Sequence, residues 1–231
     1  NINTSASYLP GSGWISPPAL CQQLAAHPNI ALHYHAHALS LQRQDGQWQV
    51  LGSDQKTLAQ SNVLIVANSL DALQFKQTSH LPLKSIRGQT TTIDSNSTLE
   101  NIRTVICHEG YLTPAMNGQH TLGATFDNKD SCTEIREQDH QRNLHSLYQA
   151  VPDCFPSGPE QLNEQKLGGR VGFRCNSPDY LPVVGPAAQA KQFFEDYAAL
   201  RKNAHSDIAT PGSYYPGLYL NVGHGSRGLS S

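Results

Sequence analysis

The sequence predicts an α/β plus α+β protein: a discontinuous α/β domain contributed by both ends of the chain, with a mainly antiparallel, sheet-rich domain inserted between them. Three observations carry this. Val63-Leu64-Ile65-Val66-Ala67 is an unbroken apolar run, the pattern of a strand covered on both faces as in a parallel sheet. Leu218 to Val222 is a second apolar run, and it leads into Gly223-His224-Gly225-Ser226-Arg227-Gly228. Between them, from Leu83 onward, short strand-like stretches and turn signals dominate. The expected boundaries are 1–82 and 181–231 for the α/β part and 83–180 for the insert.

Each element has a local reason. Ser16-Pro17-Pro18 before ALCQQLAAH reads as a helix start: Ser16 can accept from an orphan N–H, and proline costs nothing in the first turn. Ile30 to Tyr34 alternates as a strand. Leu39–Arg43 and Gln47–Leu51 flank Asp45-Gly46, a hairpin signal. Asn68-Ser69 ends the first apolar run, and Leu70 to Phe75 suits a short helix. In the insert, strands are expected at Gln89–Ile93, Arg103–Cys107, Tyr111–Thr113 and His120–Thr125, with a tight turn at Asn117-Gly118. A helix from about Thr133 to Ala150 should bury Ile135, Leu144, Leu147 and Tyr148. Gly168 to Cys175 is again strand-like. Gln192 to Leu200 reads as a helix whose stripe of Phe193, Phe194, Tyr197 and Leu200 packs into a core.

The chain has 231 residues, enough for one large domain or two small ones. Only 15% of residues are charged, so the surface relies on uncharged polar groups. A net charge of −2 gives no general attraction to polyanions, and a nucleic-acid role needs a local patch or another domain. No apolar stretch approaches a membrane span, and residues 1–12 lack the parts of a signal peptide. Cys21, Cys107, Cys132, Cys154 and Cys175 are odd in number and form no C-x-x-C, which fits free thiols in a reducing, cytoplasmic setting. His33, His35 and His37 would share one face of a strand and so mimic a metal site. No carboxylate or cysteine stands at ligand spacing, so a polar sheet face is expected and no metal.

The G-x-G-x-x-G at 223–228 usually opens a strand-turn-helix unit whose bare backbone N–H groups approach a pyrophosphate. A complete dinucleotide fold needs a helix, a second strand and a ribose-binding acid afterwards. The motif is therefore a coincidence, an ordinary strand-to-helix turn, or a cofactor-contacting turn of a longer protein, and the rest of the sequence favours the last. A serine-hydrolase elbow at Ser226 competes with this. The elbow wants glycine two residues before the serine, where His224 stands.

Five segments carry a resemblance: SGWISPPALC at 12–21, VLIVANS at 63–69, CHEGYLTPAMNGQHTLGATF at 107–126, GGRVGFRCNSPDYLPVVGP at 168–186 and PGLYLNVGHGSRGLSS at 216–231. In this order they resemble the glycine/D-amino-acid oxidase family of flavoproteins. More narrowly, they resemble the FAD-dependent C-terminal half of bifunctional bacterial proteins that make 5-methylaminomethyl-2-thiouridine in tRNA. The resemblance implies an incomplete FAD-binding domain of the glutathione-reductase-like kind, interrupted by a substrate domain. The family's main FAD fingerprint, an N-terminal β-α-β unit, has no counterpart in residues 1–60. The chain is thus expected to be an internal piece that binds FAD poorly or not at all by itself and is inactive alone. FAD, tRNA as substrate and a fused N-terminal methyltransferase domain using S-adenosylmethionine are implied for the whole protein.

The same resemblance assigns the site. Arg174 would hold the substrate carboxylate, a task suited to a planar, always-charged fork. On composition alone a surface or domain-bridging ion pair serves Arg174 as well. Tyr111 would reach the same carboxylate; the alternative is a half-buried strand tyrosine with its hydroxyl at the rim. Gly223, His224, Gly225, Ser226, Arg227 and Gly228 would lie against the flavin, the glycines by close approach and the following helix N-terminus by its positive end. Arg227 could supply a second cation. Ala67 and Asn68 would pass close to the flavin; a plain connection is the alternative. Arg87-Gly88-Gln89 resembles the family's entry to the substrate domain and is expected only to orient the crossing. The implied reaction is hydride transfer from a carboxymethyl carbon to flavin, then hydrolysis of the imine to glyoxylate and an aminomethyl group for the methyltransferase. A free glycine- or sarcosine-type oxidase is the alternative enzyme. A tRNA- or protein-binding module without flavin is the alternative non-enzyme.

Overall fold

The computed structural model describes residues 6–152, 155, 158 and 167–228. In chain order its elements are helix α1 (Pro17–Ala25), strands β1 (Ser40–Gln44), β2 (Gln47–Leu51), β3 (Thr57–Ser61), β4 (Leu64–Val66), β5 (Lys84–Asp94), β6 (Ile106–Cys107), β7 (Tyr111–Leu112), β8 (Gln119–Gly123) and β9 (Asp127–Asn128), helix α2 (Glu137–Ala150), strands β10 (Gly168–Asn176) and β11 (Val183–Ala188), helix α3 (Ala190–Asp196) and strand β12 (Tyr214–Val222). They fall into two compact units, one of Asn1–Leu32 with Ile86–Phe173, the other of His33–Ser85 with Arg174–Ser231.

In the unit of His33–Ser85 and Arg174–Ser231, β1, β2 and β3 form an antiparallel meander. Asp45 and Gly46 both take positive φ, 50° and 82°, so the expected two-residue hairpin closes β1 on β2. A second sheet has the order β11-β12-β4, with β12 antiparallel to β11 and parallel to β4. Alternation decides what β12 buries: Leu218, Leu220 and Val222 join Trp48, Val66, Phe75 and Ala187 in one core. Trp48 fixes the meander to that core, donating from Nε1 to the Pro216 carbonyl at 2.9 Å and meeting the Tyr215 ring edge-on.

The parallel pairing of β4 agrees with the sequence, but its expected double cover does not. Val63 is 53% exposed and Ile65 60% exposed, because the sheet's second face is bare among the described residues. The alternation at Ile30–Tyr34 forms no strand. None of the described strands pairs with it, Ile30, Leu32 and Tyr34 stay exposed, and His35 takes a φ of 55°. His33, His35 and His37 therefore do not share a sheet face. The aromatic stripe is split between α3 and a 3-10 turn at Ala198–Arg201. Phe193 stacks on Tyr197 and meets Tyr214, whereas Phe194 and Leu200 are exposed, so the stripe makes a local aromatic cluster rather than a core.

In the other unit the sheet order is β10-β5-β8-β7-β6, with β9 pairing β5. The β7–β8 hairpin turns at Asn117 and Gly118, both left-handed as expected. Helix α2 lays Leu144 and Leu147, and Val151 just past its end, on Ile93, Leu112 and Leu122, which point to one side of the sheet. The helix begins at Glu137, later than expected, and Ile135 ahead of it is exposed. Its start is set by tertiary contacts: the Gln89 amide brackets Arg136, accepting its N–H and donating to its carbonyl, each at 2.8 Å. Ser16 precedes α1 as expected but makes no side-chain cap bond; its carbonyl alone receives the Leu20 N–H.

Candidate active site

The glycine bend grows directly out of β12. Gly223 and Gly225 take positive φ of 79° and 57°, which turn the chain back within three residues. The Gly225 N–H donates to the Cys175 carbonyl at 2.8 Å, and His224 bridges to Asn176. Approach here is so close that a Cβ on Gly225 would sit 2.4 Å from Asn176 Oδ1. Asn176 is buried, and that oxygen has no hydrogen-bond partner. Ser226, Arg227 and Gly228 follow on the exposed side, with the Arg227 N–H closing the turn onto the His224 carbonyl at 2.9 Å. The positive φ angles fall on the glycines and not on Ser226, so the strain of a nucleophile elbow is not at the serine. The helix expected after the bend lies outside the described residues.

Arg174 immediately precedes Cys175 and is half-buried. The residue singled out for a carboxylate therefore stands one position from the strand end that receives the bend. Because β4 and β12 are parallel, their C-terminal ends coincide, and exposed Ala67 and Asn68 leave β4 at the same end as Gly223 leaves β12. The structure thus brings Arg174, the bend and Ala67-Asn68 to one end of one unit. Tyr111 belongs to the other unit, half-buried on β7 opposite Cys107 and Gly123.

Sequence reasoning passed over Asp179 and His108, and it gave Arg87 no role beyond orienting the domain crossing. The loop after Asn176 is braced by Asp179, whose carboxylate accepts from Ser177 Oγ at 2.8 Å and from the Leu181 N–H at 3.1 Å. Those donors hold its pKa below the usual carboxylate value. The N-S-P-D spelling is a turn signal and could have shown this. Arg87 is fully buried beneath α2, paired with Asp139 at 2.6 Å and donating to the Cys132 and Glu134 carbonyls at 2.8 and 2.7 Å. His108 sits in the β6–β7 turn, on the wall of a cleft of about 250 Å³ that Glu109, Phe126, Arg142 and Ser146 also line. Nothing in the local sequence marks it. Among the described residues no group of His, Cys, Asp and Glu is placed to hold a metal ion, and no helix is long and apolar enough to cross a membrane.

A family model described as FAD dependent oxidoreductase matches residues 2–231. The chain belongs to that family. Among its relatives is the tRNA 5-methylaminomethyl-2-thiouridine biosynthesis bifunctional protein MnmC of Pseudomonas fluorescens, 44% identical over 96% of this chain and 34% of that protein. The protein of the same name from Pseudomonas savastanoi pv. phaseolicola is 44% identical over 99% of the chain and 34% of its own length. The chain thus spans about a third of the curated relatives it matches. Among solved structures, glycine oxidase from Geobacillus kaustophilus superposes with a TM-score of 0.61 at 16% identity, over 86% of this chain and 45% of that one. Iminodiacetate oxidase from Chelativorans sp. BNC1 gives 0.56 at 20% identity, over 82% and 44%. This FAD-dependent oxidoreductase chain has the fold of those oxidases, with mixed α/β content and antiparallel sheets. Its residues fit the family's cofactor: the bend presents glycine backbone without side chains, exposed polar groups beyond it, and an orphaned buried oxygen at its base.

Proposed function

We propose that this chain is the oxidase portion of a tRNA-modifying flavoenzyme. The enzyme removes the carboxymethyl group from carboxymethylaminomethyl-(2-thio)uridine at the wobble position, feeding a fused S-adenosylmethionine-dependent methyltransferase domain. The observation that carries this is 44% identity, maintained over nearly the whole chain, to proteins named for that biosynthesis. The unit of His33–Ser85 and Arg174–Ser231 then corresponds to the FAD-binding part expected over 1–82 and 181–231, and Ile86–Phe173 to the substrate domain expected over 83–180, although residues 1–32 group with the latter.

The residues fit these duties on chemical grounds. The Arg174 guanidinium offers two parallel donors and a permanent charge to the carboxylate of the leaving arm, and the Tyr111 hydroxyl gives that carboxylate a further donor. Gly223–Gly228 and Ala67-Asn68 would hold the isoalloxazine, with Arg227 as a second cation beside it. FAD, when bound, supplies the two-electron oxidation. Arg174 and Tyr111 orient the carboxymethyl carbon and keep the arm's charge compensated during its removal. The net outcome is an aminomethyl group on the base and glyoxylate released.

Arg174→Ala in the intact protein tests this. Loss of a charge-assisted, two-donor contact should cut kcat/KM for the carboxymethyl substrate on the order of 100-fold. Unaltered turnover would remove Arg174 from the site. Absence of glyoxylate from the wild-type reaction would remove the proposed chemistry altogether.

A further inference from the structure

We infer that His108 is a positioning residue that holds the turn carrying Tyr111, and that it does so only while its ring is neutral. The inference rests on the substrate role proposed for Tyr111. Strands β6 and β7 pair Ile106 with Leu112 and Cys107 with Tyr111, leaving His108-Glu109-Gly110 as a three-residue loop. The loop is closed twice. The His108 N–H donates to the Gly110 carbonyl at 2.9 Å, and the Gly110 N–H donates to His108 Nδ1 at 3.1 Å. Ser146 on α2 brings its Oγ to the same Nδ1 at 3.2 Å, tying the loop to the helix.

A backbone N–H can only donate, so Nδ1 must be an acceptor and the ring proton resides on Nε2. Protonating Nδ1 would set two donors against each other. Ser146 could rotate to accept; the Gly110 N–H could not. The loop has little room to adjust, since a Cβ on Gly110 would lie 2.6 Å from the Gly123 carbonyl oxygen. That carbonyl belongs to the residue opposite Tyr111 in β8. Loss of the Gly110 contact is therefore felt first at the residue next along, Tyr111.

The surroundings favour the neutral ring. Nε2 is buried without a partner, and desolvation lowers the His108 pKa, opposed more weakly by Glu109. From α2, Arg142 faces the same cleft, its guanidinium shared between Asp127 and Asp139; the wall from Gly123 to Phe126 carries no charge. Glu109 and Arg142 are thus the charged groups lining the cleft around the ring.

The test compares wild type, His108→Leu, His108→Asn and Tyr111→Phe in the intact, FAD-loaded protein acting on tRNA that bears the carboxymethyl substrate. Leucine removes the acceptor. Asparagine places Oδ1 close to where Nδ1 stands and does not titrate. The expected result is a rise in KM of about tenfold for His108→Leu, the scale of one hydrogen bond to the substrate, with a much smaller change in kcat. His108→Asn should recover KM and should also abolish the rise in wild-type KM that accompanies acidification below the histidine range. If Tyr111→Phe raises KM but His108→Leu does not, the positioning role is overturned while the Tyr111 role stands. If Tyr111→Phe leaves KM unchanged, the Tyr111 role falls and takes this inference with it. An acid rise in KM that persists in His108→Asn would also overturn it.

Discussion

Replacing Gly225 with alanine probes the bend at its tightest point. Two costs can be read from the geometry. The residue takes a φ of 57°, where an L side chain costs about 1–2 kcal/mol. The new Cβ would lie 2.4 Å from Asn176 Oδ1 and 2.9 Å from its Cγ, and Asn176 is only 4% exposed, so its side chain has nowhere open to swing. Relief must come from moving the bend away, which weakens the Gly225 N–H bond to the Cys175 carbonyl, worth about 1 kcal/mol. Together these give a loss of about 2–3 kcal/mol. Urea unfolding followed by circular dichroism measures it, and FAD content of the intact protein should fall in parallel. The Asn176→Ala change removes the obstacle, so the double variant should recover roughly 1 kcal/mol, leaving the φ cost. A loss below about 0.5 kcal/mol for Gly225→Ala, or no recovery in the double variant, would refute the packing argument.

Arg87→Met should cost about 3–5 kcal/mol, because it leaves Asp139 buried with only Arg142 at 3.1 Å and strands two carbonyl acceptors. Adding Asp139→Leu should restore much of that; a double variant no better than Arg87→Met would show that the ion pair is not the source. Stability should also respond to pH through His108. Its folded pKa is depressed, so its contribution is complete above the unfolded value of about 6.5 and is lost as pH falls through and below that value. Denaturant midpoints from pH 8 to 5 should show a decline in wild type that His108→Asn reduces.

The parts of this fold written in local chemistry were legible. Asp45-Gly46 and Asn117-Gly118 announced their hairpins, and the apolar run Leu218–Val222 announced a strand whose bend turns at glycines. The failures share one cause: tertiary context outweighed local pattern. Ile30–Tyr34 alternates well, yet with no described strand pairing it the alternation has nothing to bury against. Helix α2 starts where the Gln89 amide grips Arg136, more than forty positions away in sequence, and no local signal marks that contact. For the candidate site, the sequence led to Arg174, the bend and Ala67-Asn68 as separate clues. Their assembly at one end of a sheet required the parallel pairing of β4 and β12. His108 was invisible, because a turn histidine gains meaning only from the amide and the serine around it.

The sheet β11-β12-β4 also governs how the polypeptide behaves in a test tube. Ile65, Val184 and Tyr219 form an oily plateau, and among the described strands β4 offers its outer rim of amides and carbonyls to no neighbour. Such a rim invites stacking of one molecule on the next into insoluble ribbons. A lysine at Ile65 would place a charge on that plateau and keep separated molecules dispersed.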